Sequence, residues 1–166
     1  RRPALLGVCL LNGGIYPDAV RPLRVQTLLA GPLGLVLGRL LGERRFRRSF
    51  SAIFAPQARP GDEALETWWA LLTRQGGRAV THRVIRYMHE RRRHAARWTG
   101  ALARTRVPLR LVVGAHDPIS GRAMADRFRA AVPAPDVVVL EEAGHCPQVE
   151  APRAMLDASL AHFERA

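Results

Sequence analysis

Residues 108–140 read PLRLVVGAHDPISGRAMADRFRAAVPAPDVVVL. Continuous apolar runs at 108–114 and 136–140 flank a segment in which Met124 and Phe128 recur at helical spacing. Runs rich in Val and Leu, without alternation, are typical of parallel strands that are covered on both faces. The segment between them has the length of a crossover helix. The stretch therefore predicts a βαβ unit in a parallel sheet.

Two further segments extend this unit. The apolar run ALLGVCLL at 4–11 is a third candidate strand, and PRAMLDASLAHF at 152–163 is a candidate helix with Pro152 at a typical first position. We expect this helix to pack on the sheet through a single apolar stripe. The stripe consists of Met155, Leu156, Ser159, Leu160 and Phe163. The predicted fold class is α/β, with three parallel strands buried on both faces and flanking helices.

Residues 17–106 follow a different pattern. They contain no convincing strand but several amphipathic segments, such as ALETWWALL at 64–72, separated by breaks that contain Gly and Pro. A helical insertion between two strands of a sheet is a cap, or lid. We therefore divide the chain into a core strand and turn at 1–16, a helical cap at 17–106 and a core βαβα segment at 107–166.

Three covered strands account for only half of a sheet. If they were the whole sheet, one edge would remain as unpaired apolar backbone, which is an aggregation hazard. The chain also starts at Arg1, with no initiating methionine, and becomes apolar almost at once. We expect this chain to be the C-terminal part of a longer protein. Its first partner would be the missing N-terminal half.

Composition narrows the classes of function. The 166 residues are 48% hydrophobic, enough for a buried core, and the formal net charge is +12. All 26 basic residues are arginine, a bias typical of a GC-rich genome, so nucleic acid is not an expected partner.

The longest apolar stretch, at 28–41, is short for a membrane span and contains Arg39. The spacing of the two cysteines suggests neither a disulfide framework nor a metal site, and we expect a cytoplasmic protein.

Two residues that could carry chemistry follow neighbouring predicted strands. Asp117 comes after the run at 108–114, and His145 follows the run at 136–140. Loops at the carboxyl edge of a parallel sheet form its ligand crevice, so both side chains could converge there. A carboxylate on one imidazole nitrogen leaves the other nitrogen free to accept a proton. The alternatives are a turn role for Asp117, since Asp-Pro is common in turns, and a backbone-bonded loop role for His145.

Four segments together resemble the C-terminal part of capped α/β-hydrolases, and in particular the mesoderm-specific transcript-like group, which is itself similar to epoxide hydrolases and haloalkane dehalogenases. They are LLNGGIYP at 10–17, RYMHERRRHAARWTGALA at 86–103, VPLRLVVGAHDP at 107–118 and GHCPQVEAP at 144–152. The resemblance implies that Asp117 is the triad acid and His145 the general base. It also implies a small apolar or amphiphilic substrate and no metal or organic cofactor.

The sequence departs from this family in lacking a nucleophile. It contains no G-x-S-x-G turn, and its serines lack the glycine-flanked passage from strand to helix. We therefore expect the segment alone to be inactive, with an Asp or Ser nucleophile upstream. The leading hypothesis is an epoxide-hydrolase-like, dehalogenase-like or esterase-like α/β-hydrolase. The alternative is a noncatalytic relative that binds a partner or an anionic surface through its arginine-rich cap.

Weaker candidates for substrate contact are Asn12, Tyr16 and Tyr87. Asn12 ends the first strand, where some dehalogenase-like relatives carry the catalytic acid, but it also suits the turn NGG. Cap tyrosines donate hydrogen bonds to the epoxide oxygen in related epoxide hydrolases, but core or rim packing is the favoured interpretation of each tyrosine here.

Two basic segments suggest other functions. HERRRH at 89–94 does not fit a zinc motif, because its histidines are five residues apart and diverge around a helix. ERRFRRSF at 43–50 could contact anionic lipid, but it lacks a recognised binding motif. We interpret both as charged cap surface and keep membrane contact as a weaker alternative.

Overall fold

The computed structural model describes residues 5–165. The strands are β1 (Val8–Leu11), β2 (Leu109–Gly114) and β3 (Asp136–Leu140). The helices are, in chain order, α1 (Arg24–Ala30), α2 (Gly34–Arg39), α3 (Glu43–Ser51), α4 (Asp62–Thr73), α5 (Gly77–Val84), α6 (Tyr87–Arg93), α7 (Ala95–Arg104), α8 (Gly121–Ala131), α9 (Pro147–Glu150) and α10 (Pro152–Phe163). Short 3₁₀ turns lie at 17–19, 56–58 and 74–76.

The chain folds into two compact units. The first contains the sheet and comprises the described residues up to 21 together with 53–58 and 94–165. The second is helical and comprises 22–52 and 59–93. The helical unit is therefore narrower than the predicted cap at 17–106, because α7 and the segment 53–58 belong with the sheet.

The sheet of the first unit has the order β1-β2-β3, and both strand pairs are parallel. Every residue of the central strand β2 is buried, as predicted. The residues of β3 are only half-buried, and β1 ends in an exposed residue. The prediction that all three strands are buried holds for β2, whereas β1 and β3 are only partly buried, because each is an edge strand of the described sheet.

Strand β1 is also shorter than the predicted strand at 4–11. Its first residue, Val8, pairs with Leu109, the first residue of β2, and donates its N–H to the carbonyl of Pro108 at 2.9 Å. Upstream of Val8 there is no further β2 backbone to pair with, so residues 5–7 are not strand. Ala4, where the predicted strand begins, lies outside the described residues.

Helix α8 forms the βαβ crossover and carries the core. Its residues Met124, Ala125 and Phe128 have no exposed surface, and they pack with Leu111 and Val113 of β2. Each fully buried Met, Phe, Leu or Val side chain contributes about 1.5–3 kcal/mol through removal of apolar surface from water. The helical spacing of Met124 and Phe128 therefore identified the buried face correctly.

Helix α10 spans the predicted residues but buries a different face. Leu156, Leu160 and Phe163 each remain about half exposed, whereas His162 is 4% exposed. The predicted packing stripe was therefore wrong for those three apolar residues. The buried Arg110 of β2 donates to the carbonyl of Ala158 and so ties α10 to the central strand.

The helical unit has its own aromatic cluster. Phe46 of α3 lies 5.5 Å from Trp69 of α4, and Phe50 lies 5.0 Å from Trp68, measured between ring centroids. Offset or edge-on aromatic pairs at such distances stabilise packing beyond the buried area alone. These ring contacts pack α3 against α4.

Candidate active site

The loops that follow β2 and β3 lie at one edge of the sheet, because the two strands are parallel and adjacent. Backbone hydrogen bonds of 2.9 Å tie the loops together, from Ala115 N–H to the Leu140 carbonyl and from His116 N–H to the Ala143 carbonyl. Asp117 and His145 extend from these two loops. Their strand-end positions are those predicted from the sequence.

The predicted contact between Asp117 and His145 is confirmed. Oδ2 of Asp117 lies 2.9 Å from Nδ1 of His145. The Asp117 side chain has no exposed surface, whereas that of His145 is 29% exposed. The carboxylate is thus enclosed by protein, and the imidazole reaches partly to the surface.

Two further donors hold the carboxylate of Asp117. Ser120 donates its hydroxyl to Oδ2 at 2.7 Å, and the Ile119 N–H donates to Oδ1 at 2.8 Å. Burial by itself raises the pKa of Asp117, but the hydrogen bond and charge of His145, with the bonds from Ser120 and Ile119, lower the pKa below its usual value. The carboxylate therefore stays ionised and acts as an acceptor toward His145.

An ionised Asp117 fixes the tautomer of neutral His145. Since the carboxylate can only accept, Nδ1 carries the proton that is shared with it, and the lone pair of the neutral ring lies on Nε2. This is the arrangement in which an imidazole can take a proton from a nucleophile or a water molecule.

A match to a known family is consistent with this geometry. The family model described as the alpha/beta hydrolase family matches residues 2–158. The chain belongs to the alpha/beta hydrolase family.

Relatives of this hydrolase-family chain include the mesoderm-specific transcript protein of Mus musculus, 34% identical over 161 residues, which make up 95% of this chain and 48% of that protein. The candidate hydrolase LipZ of Mycobacterium tuberculosis is 36% identical over 151 residues, 91% of this chain and 52% of LipZ. A candidate epoxide hydrolase structure from Klebsiella pneumoniae shares the fold, with a TM-score of 0.69 at 19% identity, over 96% of this chain and 58% of that one. The chain spans about half the length of the curated relatives it matches.

Asn12 connects three parts of the candidate site. Its Oδ1 accepts from the Gly114 N–H at 2.8 Å, and its Nδ2 donates to the Gly144 carbonyl at 2.7 Å. Its own carbonyl lies 3.1 Å from the Ser120 hydroxyl. The residue is 7% exposed and has a positive φ of 35°. Asn12 thus links the end of β1 to the end of β2 and to the loop that follows β3, and its predicted contact with substrate remains untested.

Two glycines allow the strand-end loops of this hydrolase-family chain to approach one another. A Cβ on Gly114 would lie 2.0 Å from the Gly144 carbonyl oxygen, and a Cβ on Gly144 would lie 2.6 Å from both the Ala55 nitrogen and the Ile53 oxygen. These neighbours are backbone atoms, which cannot rotate away as a side chain can. Glycine is therefore required at both positions by close packing.

The candidate tyrosines lie in different units. Tyr16 is 2% exposed in the core of the sheet unit, and within residues 5–165 its hydroxyl has no hydrogen-bond partner. Burial raises the pKa of Tyr16, while the nearby Arg127 partly opposes this rise. Tyr87 lies in the helical unit, 41% exposed, with the Arg91 guanidinium 4.5 Å from its ring centroid. Packing thus accounts for Tyr16, and substrate contact by either tyrosine stays a prediction.

The sequence did not identify two residues of this site. They are Ser120, which bonds to the Asp117 carboxylate, and Glu150, which accepts from the amides of Gly144 and Cys146. Their signals are local, because Ser120 lies three residues after Asp117 and Glu150 ends the short helix that begins two residues after His145.

Within the described residues there is neither a metal-binding cluster nor a membrane-spanning helix. Residues 5–165 hold no group of three or more His, Cys, Asp or Glu residues arranged to bind a metal ion. Over the same residues, no helix has the length and apolar character needed to cross a bilayer.

Proposed function

We propose that this chain supplies the acid and the base of a hydrolase active site, with Asp117 orienting His145. The observation that carries the proposal is the 2.9 Å contact between Asp117 Oδ2 and His145 Nδ1 at the carboxyl edge of a parallel sheet. Membership of the alpha/beta hydrolase family supports it.

The nucleophile would come from an upstream half of the protein, since this sequence lacks a nucleophile elbow. We call this chain joined to that half the full-length protein. Two features of the sheet unit support such a partner. Strand β1 pairs on one side only, with Leu11 38% exposed, and α10 leaves Leu156, Leu160 and Phe163 about half exposed. The upstream half would extend the sheet beyond β1 and cover this apolar surface.

The chemistry would follow one of two routes. With an Asp nucleophile, the carboxylate opens an epoxide or displaces a halide to give an alkyl ester. His145 Nε2 then takes a proton from water, and the hydroxide attacks the ester carbonyl. The tetrahedral intermediate expels the alkoxide, which takes the proton from His145 and leaves as the alcohol, and the regenerated Asp carboxyl group loses its proton to solvent. With a Ser nucleophile, His145 first takes the hydroxyl proton and passes it to the leaving alcohol, and then activates water in the same way.

The proposed substrates are small apolar or amphiphilic esters, epoxides or alkyl halides. The resemblance to capped hydrolases supports this class, as do the relatives described as candidate hydrolases. We favour the Asp route and epoxide chemistry on that resemblance.

The test uses the His145→Gln variant of the full-length protein, mixed separately with styrene oxide, 1-bromobutane and p-nitrophenyl acetate. Turnover of the probe that the wild type hydrolyses should fall about 10²- to 10⁴-fold. Intact-protein mass spectrometry then separates the routes. An alkylated protein that accumulates indicates an Asp nucleophile. If the wild type hydrolyses the ester and His145→Gln forms no adduct with it, the nucleophile is Ser.

The matched control is His116→Gln, because His116 is exposed and lies one residue before Asp117. This variant should keep wild-type turnover. Wild-type turnover in His145→Gln would show that His145 is not the base. A full-length wild type that is inactive on all three probes, with no adduct, would favour the noncatalytic alternative.

A further inference from the structure

The carboxylate of Glu150 accepts three backbone hydrogen bonds around the base. Its Oε2 accepts from the Gly144 N–H and from the Ala55 N–H, both at 2.7 Å. Its Oε1 accepts from the Cys146 N–H at 2.8 Å. The two amides that flank His145 in the chain are therefore held by one side chain.

The amide of His145 itself is fixed by a different group. It donates to the Ile53 carbonyl at 2.8 Å. The amides of 144, 145 and 146 thus all have acceptors, and the segment 53–55 contacts the loop through both Ile53 and Ala55. The backbone on each side of His145 cannot rotate without breaking a bond to Glu150 or to Ile53.

A carboxylate suits this task better than an amide would. It is an acceptor on both oxygens, and bonds from neutral N–H groups to an ionised acceptor are about twice as strong as neutral ones. A backbone N–H that is buried without a partner costs about 1–3 kcal/mol. Glu150 satisfies three such groups at once, at the place where Gly144 packs too closely on 53–55 to leave room for a Cβ.

We propose that Glu150 is a positioning residue for His145. By holding the amides of Gly144 and Cys146, its carboxylate sets the backbone from which the imidazole extends, so that Nδ1 meets Asp117 and Nε2 is directed to the reacting groups. This inference rests on the proposed function of Asp117 and His145, and it adds a residue whose carboxylate bonds to the backbone on both sides of His145.

The test compares Glu150→Gln and Glu150→Asp in the full-length protein. Glutamine keeps the size but replaces one acceptor oxygen with a donor, and aspartate keeps the charge but is one methylene shorter. Both should lower kcat about 10- to 100-fold on the probe the wild type hydrolyses, with KM nearly unchanged, because a displacement of about 1 Å in the base is enough for such a loss. Glu142→Gln, at an exposed position in the same loop, should retain wild-type kcat.

A spectroscopic readout separates positioning from general destabilisation. The proton between His145 Nδ1 and Asp117 should give a low-field NMR signal in the wild type and in Glu142→Gln. It should shift or broaden in Glu150→Gln at temperatures where that variant is folded. If Glu150→Gln keeps both kcat and this signal, Glu150 does not position the base.

The outcomes distinguish the two proposals. Loss of turnover in His145→Gln with full activity in both Glu150 variants would overturn the positioning role alone. Wild-type turnover in His145→Gln would overturn the proposed function, and the NMR signal would still report whether Glu150 orients the ring. If Glu150→Gln does not fold, hydrogen exchange of the wild type provides the test. The amides of residues 144–146 should be as protected as those of β2. Rapid exchange of these amides would refute the positioning role of Glu150.

Discussion

Asn12 and Gly144 lie 132 residues apart in the sequence, yet the side-chain amide of Asn12 donates a 2.7 Å hydrogen bond to the Gly144 carbonyl. The same side chain accepts from Gly114 at the end of β2. One residue at the end of β1 thus holds the loops of both proposed catalytic residues. Removal of these hydrogen bonds should lower the free energy of unfolding and also displace the loops that carry Asp117 and His145.

Asn12→Asp tests this link, because it keeps Oδ1 and the shape of the side chain but loses the donor to Gly144. We expect the free energy of unfolding of the full-length protein to fall by about 1–3 kcal/mol at pH 7, since a carboxylate would face a buried carbonyl oxygen. Such a contact raises the pKa of the new carboxyl group, so the deficit should shrink as the pH falls below that pKa, where the protonated acid can donate. Urea unfolding at pH 7 and pH 4.5 measures both effects. Equal stability to the wild type at pH 7 would contradict the link.

Gly144→Ala should disturb the base loop by steric overlap. The added Cβ would lie 2.6 Å from two backbone atoms of the segment 53–55, so one of the two segments must move. We expect a loss of about 1–3 kcal/mol in unfolding free energy, together with reduced turnover. Gly61→Ala is the control, because no atom lies within 4 Å of a Cβ built at Gly61, and it should change stability by less than about 0.5 kcal/mol. Similar values for the two variants would count against close packing at Gly144.

The βαβ unit and the Asp117–His145 contact could be predicted because their signals are local. The apolar run of β2, the helical spacing of Met124 and Phe128, and the position of an acid and a histidine after successive strands are all visible within about 40 residues of sequence. Parallel pairing then brings the two side chains to one edge.

The remaining features depend on contacts between distant segments. No periodic pattern in the sequence marks the two hydrogen bonds of the Asn12 side chain. The same is true of the close approach of the segment 53–55 to Gly144. Arg110 is a further feature that the sequence does not predict. It interrupts an apolar run, yet it is only 4% exposed, and it forms an ion pair with Asp136 at 2.7 Å. A buried arginine in a central strand becomes understandable only when its cross-strand carboxylate is known.

The lowered pKa of Asp117 makes a prediction for acid stability. A carboxyl group whose folded pKa lies below its usual value of 3.8 stabilises the fold above that pH, and the contribution is lost as the pH falls through the folded pKa. Asp117→Asn should therefore be less stable than the wild type at pH 7, and the gap should narrow as the pH falls below 3.8. Thermal unfolding of the full-length protein between pH 7 and pH 3 checks this. Asp157→Asn, at an exposed position on α10, should follow the wild type throughout, and a constant gap for Asp117→Asn would contradict the assignment.

Cys146, the residue after the proposed base, should be an unreactive thiol in the folded protein. Burial, with smaller contributions from the charges of Glu150 and Asp117, raises its pKa from 9.0 to about 11. The thiolate is the reactive form, so its alkylation by iodoacetamide at pH 8 should be about 100-fold slower than that of an ordinary thiol and should rise about tenfold per pH unit until the pH approaches that pKa. Peptide mass spectrometry of the full-length protein isolates the Cys146 signal, and the same protein in urea is the control, where Cys146 should react at the ordinary rate. Fast alkylation of the folded protein at pH 8 would mean that the loop between Gly144 and Glu150 opens readily, which the three hydrogen bonds to the Glu150 carboxylate should prevent.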